Sequence, residues 1–169
     1  MNQDTESKGT FQVLNHFDDF INLENEWNCL LNEHPNPNIF LTHIWMKCWL
    51  DVFKNQIQLL IVTHRTNGKL DFIAPLMRTK KKYLRYISKS TIQFIASDRS
   101  DYNDYIYSSG NEVYIPRLLN KILQDYPKDF IIFGNIHEDS PSKKELDGCI
   151  LSEKYNIYQK VARSPYINL

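Results

Sequence analysis

Glycine is scarce in this sequence, with five in all: Gly9, Gly68, Gly110, Gly134 and Gly148. No two lie close enough to build a glycine-rich phosphate loop of the P-loop or dinucleotide type. A pyrophosphate needs several backbone amides at close approach, and side chains at those positions block it. Cysteine is scarcer still, and Cys29, Cys48 and Cys149 are widely spaced. An odd set of this kind argues against a disulfide framework and reads as reduced core thiols of a cytosolic protein. His16, His34, His43, His64 and His137 show no metal-ligand spacing with each other or with the cysteines, so no metal site is expected. There is no Gly-x-Ser-x-Gly elbow of the hydrolase type. No apolar run approaches the roughly 20 residues of a membrane span. The first eight residues are polar and lack the apolar stretch of a signal peptide. Charge of one sign is also lacking: Lys and Arg total 20, as do Asp and Glu. Nucleic-acid partners are disfavoured, because they select a surplus of positive charge. These absences predict a soluble, cytoplasmic chain.

What is present predicts a single α/β domain. The chain has 169 residues, 42% hydrophobic and 24% charged, a globular balance with enough length for a core. Residues 1–10 read as a flexible tail and 11–169 as one domain. Phe11–Leu14 predicts a short strand. A helix follows, capped by Asp18 or Asp19, with Phe20, Leu23, Trp27, Leu30 and Leu31 on one face and Pro35 and Pro37 beyond its end. Thr42 caps a second helix whose apolar face is Ile44, Trp45, Trp49, Val52 and Phe53. Leu59–Val62 predicts a buried central strand. Asn67-Gly68, before alternating Leu70, Phe72, Ala74 and Leu76, predicts a type I′ hairpin. Further strands are expected at Tyr83–Ile87, Thr91–Ala96, Tyr105–Tyr107, Phe130–Phe133 (buried) and Ile157–Ala162. A helix over Val113–Asp125 buries Val113, Leu118, Leu119, Ile122 and Leu123, and Ser140-Pro141 opens another.

Three segments invite chemical readings. Thr79–Arg85 is a basic run with interleaved aromatics, read first as a solvated hairpin loop and alternatively as a site for an anionic group such as phosphate. Trp45, Trp49 and Phe53 recur at helical spacing, which favours core packing. Asp101-Tyr102-Asn103-Asp104-Tyr105 places two acids and an amide at the entry to a short strand. Asp and Asn are poor strand formers, so either a turn or a polar site at the mouth of the sheet accounts for them. The candidate substrate-binding residues are Asp101, Tyr102, Asp104 and Trp45. His137-Glu138-Asp139 reads as a polar turn after a strand.

The order of elements resembles the GNAT acyltransferase fold, and several stretches narrow the likeness. Glu26-Trp27-Asn28-Cys29-Leu30-Leu31 followed by Phe40-Leu41-Thr42-His43-Ile44-Trp45 and Trp49 resembles an "EWxxLL … FLTxxWxxxW" opening. Ile73-Ala74-Pro75-Leu76 resembles an "xAPL" strand, and Asp101-Tyr102-Asn103-Asp104 a "DYxD" segment. Ser140-Pro141 and the closing Ser164-Pro165-Tyr166-Ile167-Asn168-Leu169 resemble later landmarks. Together they resemble the amino-terminal half of FemAB-like, CelD/BcsL-type acetyltransferases, bacterial enzymes linked to cell-wall bridges and cellulose biosynthesis. His43 departs from the proline that many relatives carry there.

The resemblance implies a mixed, mostly antiparallel central sheet flanked by helices, in the first of two tandem GNAT-like domains. It implies acyl transfer from acetyl-CoA or another acyl carrier to an amine, with the donor on the second domain and no cofactor on this chain. In a working GNAT domain a Gln/Arg-x-x-Gly-x-Gly/Ala loop opens the third helix and holds the pyrophosphate. The matching segment here is Ser108-Ser109-Gly110-Asn111-Glu112, with one glycine, no arginine and an acid that repels phosphate. This half would shape the groove for a small-molecule or cell-wall-precursor acceptor, dock on a second domain or partner chain through the tail at 164–169, and be inactive alone. The alternative is a non-catalytic binding or interaction module with a degenerate GNAT fold.

Overall fold

The computed structural model describes residues 9–84 and 87–150. The expected α/β class is observed as a six-stranded sheet, mostly antiparallel, with helices on both faces. Its strands are β1 (Thr10–Leu14), β2 (Gln58–Thr66), β3 (Lys69–Leu84), β4 (Ile87–Phe94), β5 (Ile106–Tyr107) and β6 (Phe130–Ile132). The sheet order is β1-β2-β3-β4-β6, with β5 taking over beside β3 where β4 leaves it. Among the described strands only β4 and β6 run parallel, joined by a crossover that includes helix α4 (Tyr114–Asp125). The expected strand at 157–162, the tail at 164–169 and residues 1–8 lie outside the described residues.

Strand alternation sorts the apolar side chains to two cores. Leu59, Ile61, Ile73 and Met77 pack with α1 (Phe17–Asn22), α2 (Glu24–Asn32) and α3 (His43–Phe53). Leu60, Val62, Phe72, Ala74, Leu76, Ile92 and Phe94 face α4 and α5 (Pro141–Ile150). The continuous apolar run of β2 is thus explained by burial on both faces. Asn67 and Gly68 turn β2 into β3 with φ of 51° and 83°, the positive pair that a type I′ hairpin needs.

Several local expectations need correction. The first helix is two, broken at Leu23. Its amino end follows His16, while Asp18 and Asp19 sit inside the first turn, where they favour the helix dipole. Thr42 does cap α3, its Oγ1 accepting from the Trp45 amide at 3.3 Å. The buried face of α3, however, is His43, Met46 and Leu50, whereas Ile44 and Val52 are exposed. His43 lies flat on Phe20 with ring centroids 4.1 Å apart, and its Nε2 bonds the Phe20 carbonyl at 2.9 Å. The helix therefore turns towards Phe20; Trp45 and Trp49 pack half-buried against the edge of that core, as their spacing suggests, and only Ile44 and Val52 of the expected face are left facing out. Val113 is exposed before α4, and Ile115 takes its place in the core. Phe130 and Ile132 are exposed because β6 is an edge strand among the described residues, with helices on one face alone. Residues 79–84 continue strand β3, so the basic run is not a loop there; Arg85 lies outside the described residues. Cys29 and Cys48 are exposed and Cys149 half-buried, which removes the reading of core thiols.

Candidate functional site

After β4 the chain leaves the sheet for residues 95–105 and then rejoins β3 as β5. Departure is fixed by the Ile95 amide, which donates to the Pro75 carbonyl at 2.9 Å, and by Ala96 in the left-handed region at φ 57°. The excursion is tied down on both sides. On one side the Trp45 indole donates to Ser100 Oγ at 3.1 Å and the Trp49 indole to Asp98 Oδ1 at 3.2 Å. On the other, Asn135 Nδ2 donates to the Ser100 carbonyl at 2.7 Å and Asn103 Nδ2 to the Gly134 carbonyl at 3.1 Å. Two indoles of α3 and two amides thus hold a loop that carries no secondary structure of its own.

The tip of this loop presents Asp101 and Tyr102 to solvent. Tyr102 is 39% exposed and has the Phe40 ring 6.4 Å away on one side and His137 5.8 Å away on the other. Phe40 in turn meets Trp45 edge-on at 5.1 Å. Of the four candidate residues, Trp45 and Tyr102 are therefore linked through Phe40 in one aromatic ridge, and Asp101 is exposed one residue before Tyr102. Such a ridge offers flat apolar faces on a loop that also carries an exposed carboxylate, which suits a ligand with an apolar surface and a positive or hydrogen-bond-donating group. Phe40 and His137 complete it, and neither was singled out as a binding residue from sequence. Only a fold that joins the start of α3 to the end of β6 brings them together.

Asp104 does not belong to that ridge. It is 5% exposed; its Oδ1 accepts from the Tyr105 amide at 2.8 Å and its Oδ2 from Ser140 Oγ at 2.6 Å. Ser140 also caps α5, its Oγ accepting from the Ser142 amide at 3.1 Å. Ser142 Oγ donates to Tyr107 Oη at 3.0 Å. The His34 ring meets Tyr107 at 4.9 Å. Its Nδ1 accepts from the Asn36 amide at 3.0 Å, which leaves Nε2 to donate to the Tyr105 carbonyl at 2.9 Å. Burial is the largest influence on each titratable member. It pushes His34 below its ordinary value and Asp104 above its own, and raises the Tyr107 phenol to about 12. The network is closed to water and internally satisfied, so its work is to fasten α5 and α2 to β5. His34, Tyr107 and Ser142 went unread in the sequence, where only Ser140-Pro141 signalled a cap.

Two features bear on an anionic donor. The Gly110 amide donates to Glu112 Oε2 at 2.8 Å, so an amide at the cap of the 3-10 turn Asn111–Val113, just ahead of α4, is already occupied by the chain's own carboxylate. Phe94, Tyr105 and Phe133 also fill the space between β4 and the chain beyond β6. Their centroids are 5.2 Å apart for Phe94 with Tyr105, 5.2 Å for Phe94 with Phe133 and 5.6 Å for Tyr105 with Phe133. Among the described residues no group of three His, Cys, Asp or Glu side chains could hold a metal ion. No described helix is long and apolar enough to cross a membrane.

No family model matches the sequence, and no curated protein matches it. The chain is similar to a GNAT family acetyltransferase from Staphylococcus aureus at 12% identity and a TM-score of 0.48, over 94% of this chain and 98% of that one. It is similar to the glucosamine-6-phosphate N-acetyltransferase from Arabidopsis thaliana at 12% identity and a TM-score of 0.44, over 94% and 99%. A Trypanosoma brucei acetyltransferase gives 12% identity and a TM-score of 0.43, over 94% and 100%.

Proposed function

We propose that this chain is the acceptor-shaping half of a GNAT-type N-acyltransferase of the FemAB-like, CelD/BcsL kind, with the acyl-CoA donor held by a second domain or partner chain. The observation that carries the reading is Glu112 Oε2 on the Gly110 amide. A GNAT donor loop leaves such amides open for pyrophosphate, and here an internal anion takes one such amide in the turn ahead of α4. The filled space at Phe94, Tyr105 and Phe133 supports the same division of labour. The sheet pattern supports the fold behind it, with β1 to β4 antiparallel and one parallel crossover through α4 to β6.

In this reading the acceptor amine is received on the ridge of Trp45, Tyr102 and Asp101. Asp101 attracts the ammonium form, and the rings cover the apolar part of the acceptor. Asp104 holds the loop from behind. The test is acyl transfer by the longest natural form of the protein with Tyr102→Ala or Asp101→Asn. A raised KM for the amine with an unchanged melting temperature supports the assignment, and wild-type kinetics in both variants overturn it.

A second reading, a binding module with a degenerate GNAT fold, draws on the same Glu112 contact. A downstream reading frame encoding a GNAT-like segment with an open Gly-x-Gly loop favours the enzyme. A stop favours the module.

A further inference from the structure

The end of α3 away from Trp45 overlooks a groove of about 530 Å³, a size within the range of small-molecule sites. Three stretches converge on it: the start of α1, the end of α3 and the start of β2. Phe17, Leu50, Ile57 and Leu59 line its floor, and all four belong to or pack against the core beneath α1, α2 and α3. Trp45 and Lys54 stand roughly 13 Å apart along the helix axis, so the groove is separate from the aromatic ridge.

Two opposite charges share the same lining, Asp18 in the first turn of α1 and Lys54 at the end of α3. Lys54 Nζ stands 4.0 Å over the Phe17 ring, which holds a cation above the apolar floor. Among the described residues neither Asp18 nor Lys54 enters an ion pair, with each other or with a third group. Each sign suits the helix end that carries it. That accounts for the charges, but not for two opposite charges left unpaired in one groove. A simple anion would meet Lys54 and be repelled by Asp18, and a simple amine the reverse. A zwitterion answers both, and an apolar side chain on it covers the floor.

We infer that this groove binds a free α-amino acid with a large apolar side chain. Its carboxylate meets Lys54, its ammonium meets Asp18, and its side chain lies over Phe17 and Ile57. The site is independent of the acyl-transfer reading and needs no acyl donor.

The test is calorimetric titration of the full chain with L-phenylalanine, which should saturate with a dissociation constant of about 1 mM or tighter. Phenethylamine lacks the carboxylate, hydrocinnamate the ammonium and glycine the apolar side chain. Each should bind about tenfold more weakly, the loss expected for one charge-assisted hydrogen bond or one covered apolar face. Asp18→Asn and Lys54→Met, both at exposed positions, should lower the affinity for phenylalanine about tenfold with the fold retained in circular dichroism. Lys121→Ala, on α4 and paired with Asp125, should leave it unchanged. The truncated ligands probe the same two charges without altering the protein, so an unfolded variant cannot hide a failure. No saturation with phenylalanine, equal binding of any truncated ligand, unchanged affinity in both groove variants, or an equal loss in Lys121→Ala would each overturn the inference.

Discussion

Ser140 and Asp104 meet across 2.6 Å, the serine hydroxyl donating to a carboxylate that also accepts the Tyr105 amide. This pair joins the amino end of α5 to the entry of β5. It also separates the two acids of the Asp101–Asp104 segment, one facing water and one holding the fold.

Asp104→Ala should therefore lower unfolding stability by about 1–3 kcal/mol, the usual cost of leaving buried hydrogen-bonding groups unpaired. Asp101→Asn should stay within about 0.5 kcal/mol of wild type, as exposed substitutions do. Urea denaturation of the two variants in parallel separates these outcomes, and equal losses would refute the division.

Acid sensitivity should trace to His34. Its folded value is depressed below the ordinary 6.5, chiefly by burial, so the folded state binds fewer protons than the unfolded one. That contribution to stability is full above 6.5 and is lost as pH falls towards the folded value. Asp104 acts in the opposite sense. Burial raises it above 3.8, so its contribution is full below 3.8 and is lost as pH rises through the folded value. His34→Gln keeps a donor for the Tyr105 carbonyl but cannot titrate. Its stability should fall less than that of wild type on acidification below about 6.5, and an identical pH slope would rule His34 out.

Gly9→Ala should weaken the β1–β2 pairing. A Cβ there would lie 2.2 Å from His64 Nε2 and 2.6 Å from the Arg65 carbonyl oxygen. His64 cannot swing aside, because its Nδ1 is bonded to Asp71 Oδ1 at 2.8 Å and Tyr114 lies 4.1 Å from its ring. Overpacking of this kind costs about 1–3 kcal/mol, to be read from thermal melts. A wild-type melting temperature would show that β1 moves away freely.

Calorimetric titration of this chain with acetyl-CoA should give a dissociation constant no tighter than about 1 mM, or roughly −4 kcal/mol. A micromolar constant, near −8 kcal/mol, would place the donor on this half after all.

Local chemistry was legible in the sequence where it decides the structure. Thr42 before an apolar helix and Asn67-Gly68 between strands act through atoms a few residues away, and both do what they promise. The apolar face of α3 is only partly legible because two stripes fit the same period: Trp45 and Trp49 do pack on the core, but Ile44 and Val52 do not. Phe20, more than 20 residues earlier, decides that His43, Met46 and Leu50 turn inward. The exposure of Phe130 depends on β6 being an edge, which follows from strand order and not from its own four apolar letters. The break at Leu23 carries no proline or glycine to announce it. At the candidate site, Asp101 and Asp104 are indistinguishable as letters. Their fates diverge through Ser140, which only the crossover brings near.

The 16-residue length of β3 has a consequence for the order in which the backbone opens to solvent. Phe72 and Ile73 lie between β2 and β5, while Leu76, Met77 and Arg78 lie between β2 and β4. Amides there alternate between the two neighbouring strands, so opening the whole segment requires partners on two sides to part, and those partners anchor both cores. Deuterium should therefore enter β3 last, at the rate of global unfolding, while the short pairing of β6 exchanges through local openings.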